Sequence, residues 1–484
     1  MFEPAGDPDA AGETIFLVPV CRSKGEDAVS RREAQFFSGL REQSMKEGKT
    51  MAEERAQEGM RPSVKSTKAA AEVRQWRKWY YDRINHAHDH GEFVALTMLL
   101  TPDEIFRTFG VWSSLAENYG PLCAAKQVSG DFCAVAEGDG FSIDLCSYLK
   151  VGMGYLAKSS EEGKVPDNAP YGGMGQIDMI VAPAIYCDGR YKYPQAARRY
   201  VDMPTFVYDQ RDLPWWRVDD PEMKKRYVDY AYERLKELVA FLERATGKKF
   251  DEARLAESVD LWMKSHRLFH DACALKKCHP NPLPSQDSFA VCFPNLHFKG
   301  TQQCVDYYQG LYDEVKERAD NGLGAVPGEE KYRIFWYGLP PWYYLGIFNY
   351  LQEKGVSTMD NTYDAGDMPE EPDLSNPLYA IAKKGYEGVW FANGNMRRFH
   401  PIDRTRKFIE DYKIDGVITL MATTCRVTTA LIHQRRLLDE HAGVPVLNLE
   451  ADMTDVRTFS EAQVRQRLDA FLETVDAAKE KRVH

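Results

Sequence analysis

Two rhythms of hydrophobic and polar residues run along this chain. Short unbroken apolar runs recur: FVALTML after Glu92, DMIVA at 178–182, TFVYD at 205–209, YRIFWYG at 332–338, VITLM at 417–421 and VPVLNLE at 444–450. Runs of this length, bounded by turn residues, predict strands buried on both faces, as in parallel sheets. Between them the apolar spacing stretches to three and four. That spacing predicts helices over 144–158, 190–200, 402–413, 428–441 and 460–480, near 301–320 and 343–354, and as two long helices within 221–275, the second opened by Asp251. Thr101-Pro102-Asp103-Glu104 reads as a helix start, with Thr101 the cap, Pro102 the first helical residue and acids in the first turn. The stretch from there to Gly140 is glycine-rich and weakly patterned. Residues 163–175 and 279–300, rich in Gly and Pro, read as loops.

Strand, helix, strand in succession is the order of a parallel sheet with crossover helices. It occurs twice, so the fold class expected is α/β: two flavodoxin/Rossmann-like parallel-sheet lobes joined by helices, with a helical N-terminal arm. The divisions expected are 1–90 for the tail and arm, 91–220 for the first lobe, 221–328 for the helical linker and 329–484 for the second lobe. Residues 28–90 are charged and helical in period, which predicts an arm on the surface or against a partner. No internal sequence repeat is present, although the two lobes have room to be alike in fold.

The chain has 484 residues, 44% hydrophobic and 28% charged, the composition of a globular protein too long for one ordinary core. Its net charge of −11 argues against a nucleic-acid or membrane surface. The N-terminal residues lack a basic region, and their apolar run (15–20) is too short for a signal or a span. The expectation is a cytoplasmic protein that contacts neither nucleic acid nor membrane.

Ten cysteines stand at 21, 123, 133, 146, 187, 273, 278, 292, 304 and 425, with no CxxC pair among them. Zinc ribbons, ferredoxin runs and thioredoxin motifs are therefore absent. A lone buried cysteine is more often packing than ligand. Two of these are placed alike, however. Cys187 follows DMIVAPAIY and Cys425 follows DGVITLMATT, each just past a buried strand, where open α/β sheets put their ligands. If the lobes face one another, the two thiols share a cleft. A third, Cys146, stands near the start of a predicted helix, where N–H groups and the dipole favour anionic sulfur. Three thiolates in a cleft suit a soft metal, and distant cysteines fit an iron–sulfur cluster with one iron left open. Cys133 is the nearest alternative ligand.

Four stretches in order carry a resemblance: EGDGFSIDLCSYLKVGMGYL (137–156), DMIVAPAIYCDGRYKYPQAARRY (178–200) with MPTFVYDQRDLPWW after it, EKYRIFWYGLPPWYYL (330–345) and the segment from Ile414 through TTCRVTT to the tail. The sequence resembles the cluster-bearing subunits of the 2-hydroxyacyl-CoA dehydratase and benzoyl-CoA reductase family over residues 70–484. That resemblance implies Cys146, Cys187 and Cys425 as ligands of a 4Fe-4S cluster. It also implies a related second cluster-bearing subunit as partner, an acyl-CoA substrate and an ATP-hydrolysing iron–sulfur activator. The chain itself has no GxxxxGK[ST] phosphate loop, so any ATP hydrolysis lies in that activator.

Two reactions share this scaffold. The dehydratases eliminate water from a 2-hydroxyacyl thioester through a ketyl radical, and the reductases consume electrons to reduce an aromatic ring. The reading favoured here is a subunit of an ATP-dependent benzoyl-CoA reductase. The alternatives are an (R)-2-hydroxyacyl-CoA dehydratase subunit and a non-catalytic electron-transfer subunit. Aromatic residues in loops past the strands favour a flat ring: Trp215, Trp216 and Trp342, with Trp336, Tyr337, Tyr343 and Tyr344 beside them. Arg397, Arg398 and His400, ahead of the predicted 402–413 helix, are expected to meet the CoA phosphates. Thr424, with Thr423, is expected to orient substrate or to bond cluster sulfur. Asp188 beside Cys187 reads as a helix cap or as a residue supporting the ligands.

Overall fold

The protein is described from a computed structural model covering residues 63–483, except 186, 210–212, 214–216, 218–219, 361–362, 364–367, 387–400, 426–435 and 437. Helix α1 (Lys68–Asn85) opens at Thr67, whose hydroxyl accepts the Ala70 N–H at 3.2 Å. Its Val73, Trp76, Tyr80 and Ile84 form one buried stripe. Trp76 meets Phe298 edge-on at 4.9 Å and Tyr307 at 5.3 Å. This end of the expected surface arm is thus packed into the body: large aromatics at helical spacing outweigh the charges between them. Residues 1–62 of that arm lie outside the described residues.

The first sheet unit follows as β1 (Phe93–Thr97), α2 (Asp103–Phe109), β2 (Val111–Leu115), α3 (Ala116–Ala125), α4 (Ser129–Gly138), α5 (Ser147–Glu162), β3 (Met179–Ala184), α6 (Asp188–Ala197) and β4 (Thr205–Asp209). Helices α7 (Pro221–Thr246), α8 (Glu252–Ala274), α9 (Ser285–Val291), α10 (Phe293–His297) and α11 (Gln302–Asp320) lead to the second. That unit comprises β5 (Tyr332–Tyr337), α12 (Ile347–Glu353), β6 (Val356–Asp360), α13 (Pro377–Lys384), α14 (Pro401–Asp411), β7 (Gly416–Ala422), β8 (Val446–Ala451) and α15 (Glu461–Val483). No helix among the described residues is long and apolar enough to cross a membrane.

Both sheets are wholly parallel, ordered β2-β1-β3-β4 and β6-β5-β7-β8. The lobes are therefore alike in fold without being alike in sequence. In each, the strand order reverses beside the first strand, and the loops after the two central strands border that point. Cys187 follows β3 and Cys425 follows β7, the equivalent strands of the two sheets.

Several expectations are corrected. Helix α2 starts at Asp103, with Pro102 in the cap position and no side-chain cap bond. The Thr101 hydroxyl donates instead to the Met98 carbonyl at 2.8 Å, because the residue before a proline is held out of the helical region. The stretch read as weakly patterned holds β2, α3 and α4; two serines in β2 and Pro121 inside α3 mask their periods. The 279–300 loop contains α9 and α10, with Pro284 and Pro294 at helix starts, where a missing N–H costs nothing. Strand β6 and helix α13 had no counterpart in the reading. The predicted 428–441 helix falls largely outside the described residues.

Candidate metal and substrate site

Cys146 occupies the cap position of α5, and Cys187 that of α6. Cys425 closes the turn after β7, its N–H bonded to the Ala422 carbonyl at 3.2 Å. All three are half-buried, whereas Cys123, Cys133, Cys273, Cys292 and Cys304 are buried. Burial pushes the Cys146 thiol well above its usual pKa, and charge on Cys425, on Cys187 and on Glu117 adds to the shift; the Leu149 backbone N–H opposes it. Burial likewise raises Cys187, with Arg190 working the other way and Glu117 and Cys425 adding to the rise. The Cys146 thiol therefore feels both of the others, and Cys187 feels Cys425, although 279 residues separate Cys146 from Cys425. Cys133 faces Asp455, Lys150, Arg457 and Asp452 instead, and burial raises its thiol to about 12. Among the described residues no group of three or more His, Cys, Asp or Glu is set to hold a metal ion.

Buried hydrogen bonds tie the cysteine-bearing turns across the lobes. The Ser147 N–H, next to Cys146, donates to Thr424 Oγ1 at 3.1 Å. The Thr424 hydroxyl donates in turn to Asp452. Asp452 also accepts the N–H groups of Thr454 and Asp455, both at 2.8 Å. Thr454 closes the circuit by donating to Ser147 Oγ at 2.6 Å, and Ser129 Oγ donates to the Thr454 carbonyl at 2.6 Å. Ser147, Asp452 and Thr454 are buried, so these bonds form in a medium where leaving them unmade is costly. Outside them, Arg457 and Lys150 both grip Glu137, at 2.6 and 2.8 Å.

Two further groups border the thiols. Glu117, at the start of α3, is buried; it accepts the Leu99 N–H at 2.9 Å and Arg190 Nε at 2.7 Å. Tyr148, on the first turn of α5, receives the Trp342 indole N–H, and its hydroxyl bonds Tyr363. Burial holds the Tyr148 hydroxyl protonated far above its ordinary range. Cys146, Cys425 and Trp342 all pack around Tyr148, Ala422 and Met453. The Trp342 ring meets Tyr363 at 5.6 Å and Phe289 at 5.9 Å, both edge-on.

Of the expected site residues, Cys146, Cys187, Cys425, Thr424 and Trp342 are therefore brought together. Thr424 spends both its acceptor and its donor on the bonds that hold the turn. Asp188 stands in the first turn of α6. Trp215, Trp216, Arg397, Arg398 and His400 lie outside the described residues. Trp336, Tyr343 and Tyr344 are buried in the core of the second lobe. The reading missed Glu117, Arg190, Tyr148, Tyr363, Ser147 and Asp452. Ser147 and Tyr148 were in plain view beside Cys146; Glu117 was hidden in the stretch whose helix went unseen.

A family model described as 2-hydroxyglutaryl-CoA dehydratase, D-component, matches residues 98–475. The chain is 26% identical over 422 residues to the (R)-phenyllactyl-CoA dehydratase alpha subunit of Clostridium sporogenes, covering 86% of this chain and 98% of that one. It is 25% identical over 400 residues to the (R)-2-hydroxyisocaproyl-CoA dehydratase alpha subunit of Clostridioides difficile, covering 81% and 92%. It is also 25% identical over 411 residues to a benzoyl-CoA reductase subunit of Thauera aromatica, covering 82% and 92%.

Proposed function

The chain belongs to the 2-hydroxyglutaryl-CoA dehydratase D-component family, and from that premise we propose that it is the iron–sulfur subunit of an ATP-dependent benzoyl-CoA reductase. The observation that carries this reading is that Cys187 and Cys425, past equivalent strands of two like sheets, both act on the Cys146 thiol at the start of α5. Three soft thiols suit iron–sulfur ligation, and the positive charge of a bound cluster would offset the burial that raises the Cys146 and Cys187 thiols. When bound, a 4Fe-4S cluster supplies low-potential electrons and an iron with an open position.

The remaining roles fall to the chain's own side chains. Thr424 and Ser147 hold the Cys425 turn against the Cys146 helix. The Tyr148 hydroxyl, protonated and beside Cys146 and Cys425, would donate to a thioester oxygen by turning its proton from Tyr363 as charge develops there. Glu117, a buried carboxylate in the field of the same thiols, is the group to move a proton. Trp342 walls the ring; for Trp215 and Trp216 beside it, and for Arg397, Arg398 and His400 as the group that meets the CoA phosphates, the support is their place in the sequence. The partners are a related second cluster-bearing subunit, in keeping with relatives that are themselves named as single subunits of larger enzymes, and an ATP-hydrolysing activator.

A dehydratase acting on an aryl 2-hydroxyacyl-CoA is the second reading, favoured by the Clostridium sporogenes relative. Anaerobic turnover of the complex with its activator separates the two. Benzoyl-CoA reduced with ATP consumed in proportion supports the reductase. Dehydration of (R)-phenyllactyl-CoA with only catalytic ATP, and inert benzoyl-CoA, refutes it. A complex that binds neither thioester is an electron carrier.

A further inference from the structure

Three residues in or beside the second lobe carry polar atoms buried without a hydrogen-bond partner: Ser285 Oγ, both amide atoms of Gln286, and Trp336 Nε1. All three residues are 0% exposed. They stand on elements that meet in one set of rings. Ser285 and Gln286 precede Phe289 on α9 by four and three residues, the spacings that share a helix face. Phe289 meets Tyr363 and Phe348 at 5.3 Å and Trp342 at 5.9 Å. Trp336 meets Phe348 at 4.8 Å. The same Trp342 packs, as Cys146 and Cys425 do, against Tyr148, Ala422 and Met453. The other face of α9 is spoken for: Asp287 accepts the Ser66 and Thr67 N–H groups, and the Gln286 carbonyl accepts Lys65 Nζ. The Gln286 amide and the Ser285 hydroxyl are left over.

Orphaned donors and acceptors in an apolar cluster weaken a fold unless something completes them. An aromatic cluster running from a thiol site to an amide and a hydroxyl suits a flat ring bearing one neutral polar substituent. Lys65, whose Nζ meets the Gln286 carbonyl, is also bonded to Ser63 Oγ and lies beside Asp287. We propose that Gln286, assisted by Ser285, is a specificity-determining residue that hydrogen-bonds a ring hydroxyl, so that the substrate class is a hydroxyaryl acyl-CoA. This inference rests on the acyl-CoA reading above.

Calorimetric binding to the complex with its partner subunit tests it, using benzoyl-CoA and its 3- and 4-hydroxy derivatives. One hydroxy isomer should bind about tenfold tighter than benzoyl-CoA, the worth of one good hydrogen bond. In Gln286→Met that ratio should fall to about one while benzoyl-CoA binding persists. The melting midpoint should hold or rise, because orphaned polar atoms have gone. Ser285→Ala should narrow the ratio in the same direction. Equal binding of all three thioesters by wild type, or a preference that survives both substitutions, overturns the role of Gln286 and leaves the acyl-CoA reading standing. A Gln286→Met complex that melts lower and loses every ligand alike marks the amide as a structural, water-bridged group and also overturns the role. Failure of wild type to bind any of the three thioesters removes the acyl-CoA reading and this inference with it.

Discussion

Replacing Asp452 tests whether hydrogen bonds, rather than packing alone, hold the Cys425 turn to the Cys146 helix. Its carboxylate accepts from Thr454 and Asp455 N–H at 2.8 Å each and from the Thr424 hydroxyl. The residue is 1% exposed, so water does not replace a lost partner. Bonds to a charged acceptor contribute about 1.5–3 kcal/mol each, partly offset by the cost of burying the charge. Asp452→Ala should therefore destabilise the protein by on the order of 3–5 kcal/mol. Asp452→Asn keeps an acceptor for the two N–H groups but turns an amide NH2 towards Thr424. That hydroxyl already accepts the Ser147 N–H and now has nowhere to donate, a loss of about 1–2 kcal/mol. Anaerobic melting should rank wild type above Asn above Ala. Hydrogen exchange should show the Ser147 amide losing protection in the Asn variant, and bound iron should fall. An Asn variant with the wild-type midpoint, an equally protected Ser147 amide and full iron would refute the claim that this carboxylate sets the turn.

Other substitutions probe the site from different sides. Combined Cys146→Ser, Cys187→Ser and Cys425→Ser replacement should remove the iron and brown colour of this subunit; full iron after all three would discard the ligand assignment. Arg457 and, against some burial, Lys150 hold the Glu137 carboxyl at about 2. Its folded pKa is depressed, so its stabilisation is complete above about pH 4.5 and is lost as the pH falls towards 2. Wild type and Glu137→Gln should accordingly differ in melting midpoint at pH 6 and converge near pH 2; a constant gap would contradict the ion pair. A methyl on Gly154 would stand 1.8 Å from the Phe132 carbonyl oxygen, so Gly154→Ala should force α4 and α5 apart at a cost of about 3 kcal/mol or more, read by chemical denaturation.

Much of this protein is legible in its sequence because buried parallel strands need unbroken apolar runs, and such runs are visible. Six of the eight strands among the described residues, the lobes' parallel order and the positions of Cys187 and Cys425 just past β3 and β7 follow from them. The exceptions have local causes. Strand β2 carries two serines, and β6, Val356–Asp360, ends on an aspartate whose buried partner, Lys276, lies 84 residues away. Periodicity sees hydrophobicity, not distant charge compensation. Only the tertiary structure decided that Cys146 meets the other two thiols, since its neighbours in space come from the turn at Thr424 and the segment at Asp452, some 280 and 300 residues on. It likewise decided that Trp336 and Tyr344 are core while Trp342, in the same aromatic run, packs on the Tyr148, Ala422 and Met453 cluster that Cys146 and Cys425 also touch. Glu117 became a site residue only when α3 set it beside Arg190. A side chain's type states what chemistry it can do. Its partners come from chain crossings that bring remote segments together, and no local pattern records those.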